Sequence, residues 1–237
     1  SMFTGGLVGI NMGIVSNSCA NTEVYGGMFA GGITGANGGK ITSSYATGSV
    51  SGQDGIGGLA GGTGDILGLG TKAVISNSYS KANVQGTQKI IGGLVGTSYD
   101  GSTILNCFAT GLVQGTTEVG GLVGNTSNDS ILENSIWNTQ TTGQSVGIGD
   151  NQGGTDTNNK GLTTSQMKDP TNWTGWDDTI WDFSSYPPKL KGQSNSQSND
   201  NSQNAIRLQI GEDEKSTSCI YLETYFSLDG FLSLIHI

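Results

Sequence analysis

An all-β, right-handed β-solenoid of about five coils is the fold class that this 237-residue sequence predicts. Three observations predict it. A glycine motif returns at a period of 26 to 35 residues, at Gly5-Gly6, Gly31-Gly32, Gly57-Gly58, Gly92-Gly93 and Gly120-Gly121. An Asn/Ser-aromatic unit follows each copy and keeps step with it. The composition is rich in glycine, with 41 residues, and poor in charge, at 12%. Self-similarity at such a period marks stacked repeats, in which each unit buries its apolar face only against its neighbours.

The glycine motif reads Gly-Gly-Leu-Val-Gly in the first, fourth and fifth copies. Thr34 and Ala60 replace the valine in the second and third. Glycine inside a strand marks a bulge, a bend or a close backbone approach. The pair therefore predicts a corner of the coil, where either a positive φ or a steric clash excludes other residues.

The second unit gives the column Cys19, Tyr45, Tyr79, Phe108 and Ile136. Its steps of 26, 34, 29 and 28 track the glycine steps, so two short β-prone stretches repeat together as one unit. Stacked coils set like residues about 4.8 Å apart. Tyr45, Tyr79 and Phe108 are thus expected to form an aromatic stack. The column Asn17, Ser43, Asn77, Asn106 and Asn134 either builds an amide ladder or consists of turn asparagines at the surface.

The 35-residue step holds an insertion, Thr63 to Lys72, expected as a surface excursion or, less simply, a binding loop. The repeats fill residues 1–146. Residues 147–192 are expected to break the pattern, with a loop over Gly147 to Asn159 and a capping-box spelling at Thr163-Thr-Ser-Gln166. Trp173, Trp176 and Trp181 then crowd together as a C-terminal aromatic cap that plugs the open end. A carbohydrate-binding platform is the rival reading of the same tryptophans. Residues 193–204 are a polar linker of Gln, Ser, Asn and Asp. Residues 205–237 are expected as a truncated, hairpin-like β fragment. Its last residues, Leu232 to Ile237, resemble translated adaptor sequence and carry no functional weight.

The net charge of −9 and the lack of a basic cluster exclude nucleic-acid binding. No apolar run is long enough to span a membrane. The chain opens inside a repeat, as a fragment would, so the missing signal peptide says little about secretion. Cys19, Cys107 and Cys219 have no metal-ligand spacing, and Cys19 and Cys107 are expected to be buried small hydrophobes rather than a disulfide framework.

The single histidine, His236, rules out a histidine-dependent triad or zinc motif in the repeats. No catalytic, cofactor-binding or metal-binding residue is expected, and no cofactor. Asp65 and Asp177 are the carboxylates that a polysaccharide-cleaving β-helix would use here. An ice-binding solenoid would need regular threonine columns, and the threonines are scattered.

The glycine and Asn-Ser-Tyr units resemble the GLUG-motif repeats of bacterial surface proteins. Such repeats occur in filamentous-haemagglutinin-like adhesins and beside the peptidase domain of some IgA-cleaving metallopeptidases. The segment Gly161 to Pro170, through Trp176 and Pro187, resembles the stretch that closes such arrays. The resemblance implies an extracellular, cell-surface stalk or adhesin without catalysis, whose partner would be a host or cell-surface glycan or protein. A polysaccharide-binding or polysaccharide-cleaving β-helix is the first alternative. The tail, Ile206 to Gly211 with Leu222 to Thr224, faintly resembles flagellin, and the second alternative is a surface insertion in such a filament protein.

Overall fold

The computed structural model describes residues 1–127, residues 129–192 and the strand Ser218–Tyr221. It is a β-solenoid of about six turns. Each regular coil has four strand positions rather than the two that the sequence predicts, and the fourth is split in two in the third and fourth coils. The second coil shows the pattern with Met28–Gly31, Thr34–Asn37, Lys40–Thr42 and Tyr45–Gly52. Each strand pairs in parallel with its counterpart in the next coil, so four sheets run along the molecule. The strands are too short, and the breaks between them too small, for periodicity alone to resolve.

The register sets like on like. Gly5, Gly31, Gly57, Gly92 and Gly120 face one another along the first sheet. Cys19, Tyr45, Tyr79, Phe108 and Ile136 do so along the fourth. Between the sheets, Ile33, Leu59, Leu94 and Leu122 fill the interior and are fully buried, opposite Ile41, Ile75, Ile104 and Leu132. One large apolar residue per strand is enough, because the neighbouring coil supplies the rest of the core.

All three glycines of the motif are steric requirements. None of the first-position glycines has a positive φ, so clash and not backbone handedness excludes other residues. A Cβ on Gly92 would lie 1.9 Å from the Val95 carbonyl oxygen and 2.7 Å from that of Leu122. On Gly93 it would meet the Gly121 carbonyl oxygen at 2.3 Å, and on Gly96 the Gly61 carbonyl oxygen at 2.4 Å. Gly92 and Gly93 thus pin the corner to its own coil and the next, and Gly96 pins it to the coil before.

Residues 147–162 form a sixth coil, not the expected loop. Ile148–Asn151, Thr155–Thr157 and Lys160–Leu162 pair with Val123–Thr126, Ile131–Glu133 and Ile136–Asn138. This coil lacks the Gly-Gly pair, which hid it. Gly149 nevertheless keeps the place of the third motif glycine, where a Cβ would lie 2.3 Å from the Glu118 carbonyl carbon. The insertion also begins later than expected. Thr63 is buried in the strand Ala60–Thr63, and the excursion occupies the residues between it and Val74–Ser76.

The capping box forms as the sequence predicts. Thr163 Oγ1 accepts the Gln166 N–H at 3.2 Å, and Gln166 Oε1 accepts the Thr163 N–H at 2.9 Å. The helix Thr164–Met167 is a single turn. The expected hairpin lies largely outside the described residues. Its described part, Ser218–Tyr221, is one strand that pairs in parallel with Ser18–Tyr25 of the first coil.

Candidate interaction surface

The Asn-Ser-aromatic unit builds three adjacent columns along one corner. At the first, Asn17, Ser43, Asn77, Asn106, Asn134 and Asn158 all have φ between 47° and 56°. Asparagine tolerates this left-handed region better than other side-chain-bearing residues. It also bonds to its equivalent in the coil before. Asn134 Nδ2 donates to Asn106 Oδ1 at 2.6 Å, and Asn106 Nδ2 donates to Asn77 Oδ1 at 3.4 Å. The amide ladder therefore exists over the upper coils, and each asparagine is also a turn residue.

The next column is a hydroxyl ladder that the sequence reading missed. Ser44 Oγ accepts the Ser18 N–H at 3.2 Å, and Ser78 Oγ accepts that of Ser44 at 3.1 Å. Each hydroxyl donates to the carbonyl two residues earlier, Ser44 to Thr42 and Ser78 to Ser76. Cys107 takes the same place, and its Sγ donates to the Leu105 carbonyl at 3.2 Å. Burial pushes its thiol up to about 12, so it stays protonated near neutral pH. Cys19, in contrast, is disulfide-bonded, which corrects the expectation of a simple buried thiol.

The third column is the aromatic stack. Tyr45 and Tyr79 lie 4.7 Å apart at 7°, and Tyr79 and Phe108 lie 4.6 Å apart at 5°. Trp173, Trp176 and Trp181 do come together, but on the flank of this stack. Trp181 lies 5.6 Å and Trp173 5.7 Å from the Phe108 ring. The expected plug at the open end is thus a side cover, joined by Met167 and Leu190. The three indoles are nearly buried, so as a group they offer no exposed platform to a sugar.

Trp137 is what fills the end of the interior. It stands where Ala46, Ser80 and Ala109 stand in earlier coils. Its ring occupies the space beside Gly121, Gly147 and Gly161, with Nε1 donating to the Gln144 carbonyl at 3.0 Å. Its column, read from small residues to one indole, is the signal that could have revealed it.

A second buried polar column was also missed. Asn11 Nδ2 donates to Asn37 Oδ1 at 2.7 Å, and Asn37 Nδ2 donates to Thr63 Oγ1 at 3.0 Å. Two coils later, Thr126 Oγ1 donates to Asn151 Oδ1 at 2.9 Å.

The carboxylates singled out for chemistry are turn caps. Asp65 Oδ1 accepts the Leu69 N–H at 2.6 Å. Desolvation pushes this carboxyl up, but the N–H groups of Gly70, Leu69 and Thr71 outweigh it and leave it below the usual range. Asp177 accepts both the Thr179 hydroxyl at 2.7 Å and its N–H at 2.8 Å, and these bonds lower its pKa. Among the described residues, no group of three or more His, Cys, Asp or Glu is placed to hold a metal. No described helix is long and apolar enough to cross a membrane.

What remains for recognition is the outer face. A shallow groove is lined by Tyr25, Ser51, Gln53, Gln85 and Thr87, across the first three coils. Tyr25, Ser51, Gln85 and Gln114 share one register position along the fourth sheet, and Tyr25 is 61% exposed. Amides, hydroxyls and one phenol ring line this polar groove, and the Tyr25 hydroxyl donates to the Glu23 carboxylate at its margin at 3.5 Å.

Residues 88–113 match the GLUG motif. The matched span begins beside Lys89–Gly92 and ends in Val113–Gln114, so the motif corresponds to one turn of the solenoid. No curated protein and no solved structure matches the chain.

Proposed function

We propose, from the premise that this is a GLUG-repeat protein, that the solenoid is a non-catalytic spacer and display module of a bacterial surface protein. One observation carries the reading. The recurrent polar side chains at the coil corners bond to their equivalents in neighbouring coils, amide to amide and hydroxyl to backbone, which builds a rod and leaves no convergent reactive group among the described residues. Asp65 and Asp177 are held by their own turns in the same way. An adhesive role rests on the groove at Tyr25 and Gln85, whose neutral amides, hydroxyls and ring suit a neutral glycan.

Arrays of neutral and acidic glycans and of matrix proteins, probed with the purified chain, test this. Saturable binding that Tyr25→Ala or Gln85→Ala weakens at least tenfold establishes the adhesive role. Absence of binding leaves the spacer role alone. Turnover of a polysaccharide that Asp65→Ala or Asp177→Ala abolishes would overturn the non-catalytic reading.

A further inference from the structure

The third sheet of the solenoid has one face in the core and one outside it. Ile41, Ile75, Ile104 and Leu132 are its buried middle residues. The residues before and after each of them point outward, because side chains alternate along a strand. They stack into two columns in register. Lys40 and Ile131 belong to the first column, in the second and fifth coils. Thr42 and Glu133 belong to the second column, in the same two coils. Every other residue of the two columns is Ser, Thr, Val, Ile or Leu, so Lys40 and Glu133 are their only charges. Ile14 is 73% exposed in the first column and Ile131 is 38% exposed.

The margin of the face repeats the division. Lys72, two residues before Val74, is exposed beside the third coil. Asp100 and Asp129 are exposed beside the fourth and fifth. The second and third coils are therefore basic here, and the fourth and fifth are acidic. Such a face complements itself in one sense only. With two copies parallel, Lys40 meets Lys40 and Glu133 meets Glu133. With one copy turned end for end, about a twofold axis between the third and fourth coils, the second coil faces the fifth. Lys40 then lies over Ile131 of the second copy. Glu133 of that copy is two residues further along the same strand, about 6.6 Å away, which an extended lysine side chain spans. The twofold axis makes each such contact twice. We propose that this outer face docks a second copy of the chain, antiparallel, through paired Lys40–Glu133 contacts over an apolar and hydroxyl surface. The footprint is about 29 Å by 13 Å, at the low end for a specific interface, so the pairing is transient, with Kd on the order of 0.1 mM.

Sedimentation equilibrium of the full chain, at up to about 1 mM, tests this. The expected result is a reversible monomer–dimer equilibrium whose Kd rises at least tenfold between about 0.05 and 0.5 M salt. Lys40→Glu and Glu133→Lys should each weaken pairing at least tenfold, because the symmetry doubles every change from attraction to repulsion. The doubly exchanged chain should regain most of the loss. Circular dichroism checks that each variant keeps its coils. Carbodiimide coupling should join Lys40 to Glu133. Within one chain these residues are three coils apart, roughly 14 Å, so the link reports a second copy. A dimer that ignores both exchanges, or one that couples without a Lys40–Glu133 link, overturns the proposal. So does a chain that stays monomeric at about 1 mM, which would leave the face to a glycan or to another protein.

Discussion

The Gly-Gly corner and the Asn-Ser corner of each coil both press backbone against backbone, and they do it by opposite means. At the glycine corner the side chain is absent, because a Cβ would enter the carbonyl oxygens of its own and adjoining coils. At the asparagine corner the side chain is present, tolerates a positive φ, and bonds to its equivalent one coil away. A steric demand has one answer, so glycine holds both pair positions in all five copies. A hydrogen-bonding demand has several, so Ser43 stands in for asparagine and Cys107 for serine. The lesson is that a solenoid tolerates drift where its contacts are polar and adaptable and forbids it where they are contacts of bare backbone.

The largest effect should come from the glycine corner. Gly93→Val should cost on the order of 4 kcal/mol or more, since the intruding atoms meet the Gly121 carbonyl and not a movable side chain. A thermal melt by circular dichroism checks this. A loss no greater than that of an exposed serine substitution would break the comparison. Asn106→Ala comes next, at about 2 to 3 kcal/mol. It loses two ladder bonds at roughly 1 kcal/mol each and places alanine at φ 52°, a region that costs about 1 kcal/mol or more. Asn106→Gly also loses both bonds but keeps the φ without strain, and should cost about 1 kcal/mol less than Asn106→Ala. Urea titration of the pair separates ladder from turn, and equal losses would show that the amide alone matters.

A smaller effect of opposite sign tests the same physics in the first sheet. Phe29, Gly55, Ile90 and Glu118 occupy one column of positive φ, at 48°, 67°, 64° and 53°. Ile90 is β-branched, and such residues are genuine outliers there. Ile90→Gly should therefore stabilise the protein by about 1 kcal/mol, offset by whatever packing the side chain provides. A drop in the urea midpoint would show that packing outweighs strain.

The smallest expected change at neutral pH is Cys107→Ser. The introduced hydroxyl replaces the sulfur, a weaker acceptor, as the partner of the Ser78 N–H, a gain of about 0.5 kcal/mol. The variant should separate from the parent at alkaline pH. The buried thiol keeps its proton to about 12, while the unfolded thiol ionises near 9. Its contribution is therefore complete below pH 9 and is lost as pH rises from 9 towards 12. Tyr99 is also raised, by burial and by Asp54, but it is common to both proteins and cancels in their difference. Denaturant melts at pH 7 and pH 10 measure the gap, and an unchanged gap would place Cys107 outside the ladder's environment.

The legible parts were those that repeat locally. The five Gly-Gly pairs, the aromatic column Tyr45, Tyr79 and Phe108, and the box at Thr163 and Gln166 each depend on neighbours a few residues away or one period away. The sixth coil was not legible, because its strands need the fifth coil as a template more than they need a motif. Asn158 and Gly149 were its faint signals, 24 residues after Asn134 and 25 after Gly124. The groove at Tyr25 and Gln85 was not legible either, since its lining comes from three coils whose outward positions follow no shared residue type.

By itself the sequence determined that this chain stacks, with which period, and which residues meet their own kind, because periodic apolar and glycine columns can be buried together only in register. The tertiary structure alone decided that each turn has four strands. It also placed Trp173, Trp176 and Trp181 on the flank of the aromatic stack and Trp137 at the end of the core. Those outcomes depend on which surface remains open after the coils have packed, and no local pattern of residues encodes that remainder.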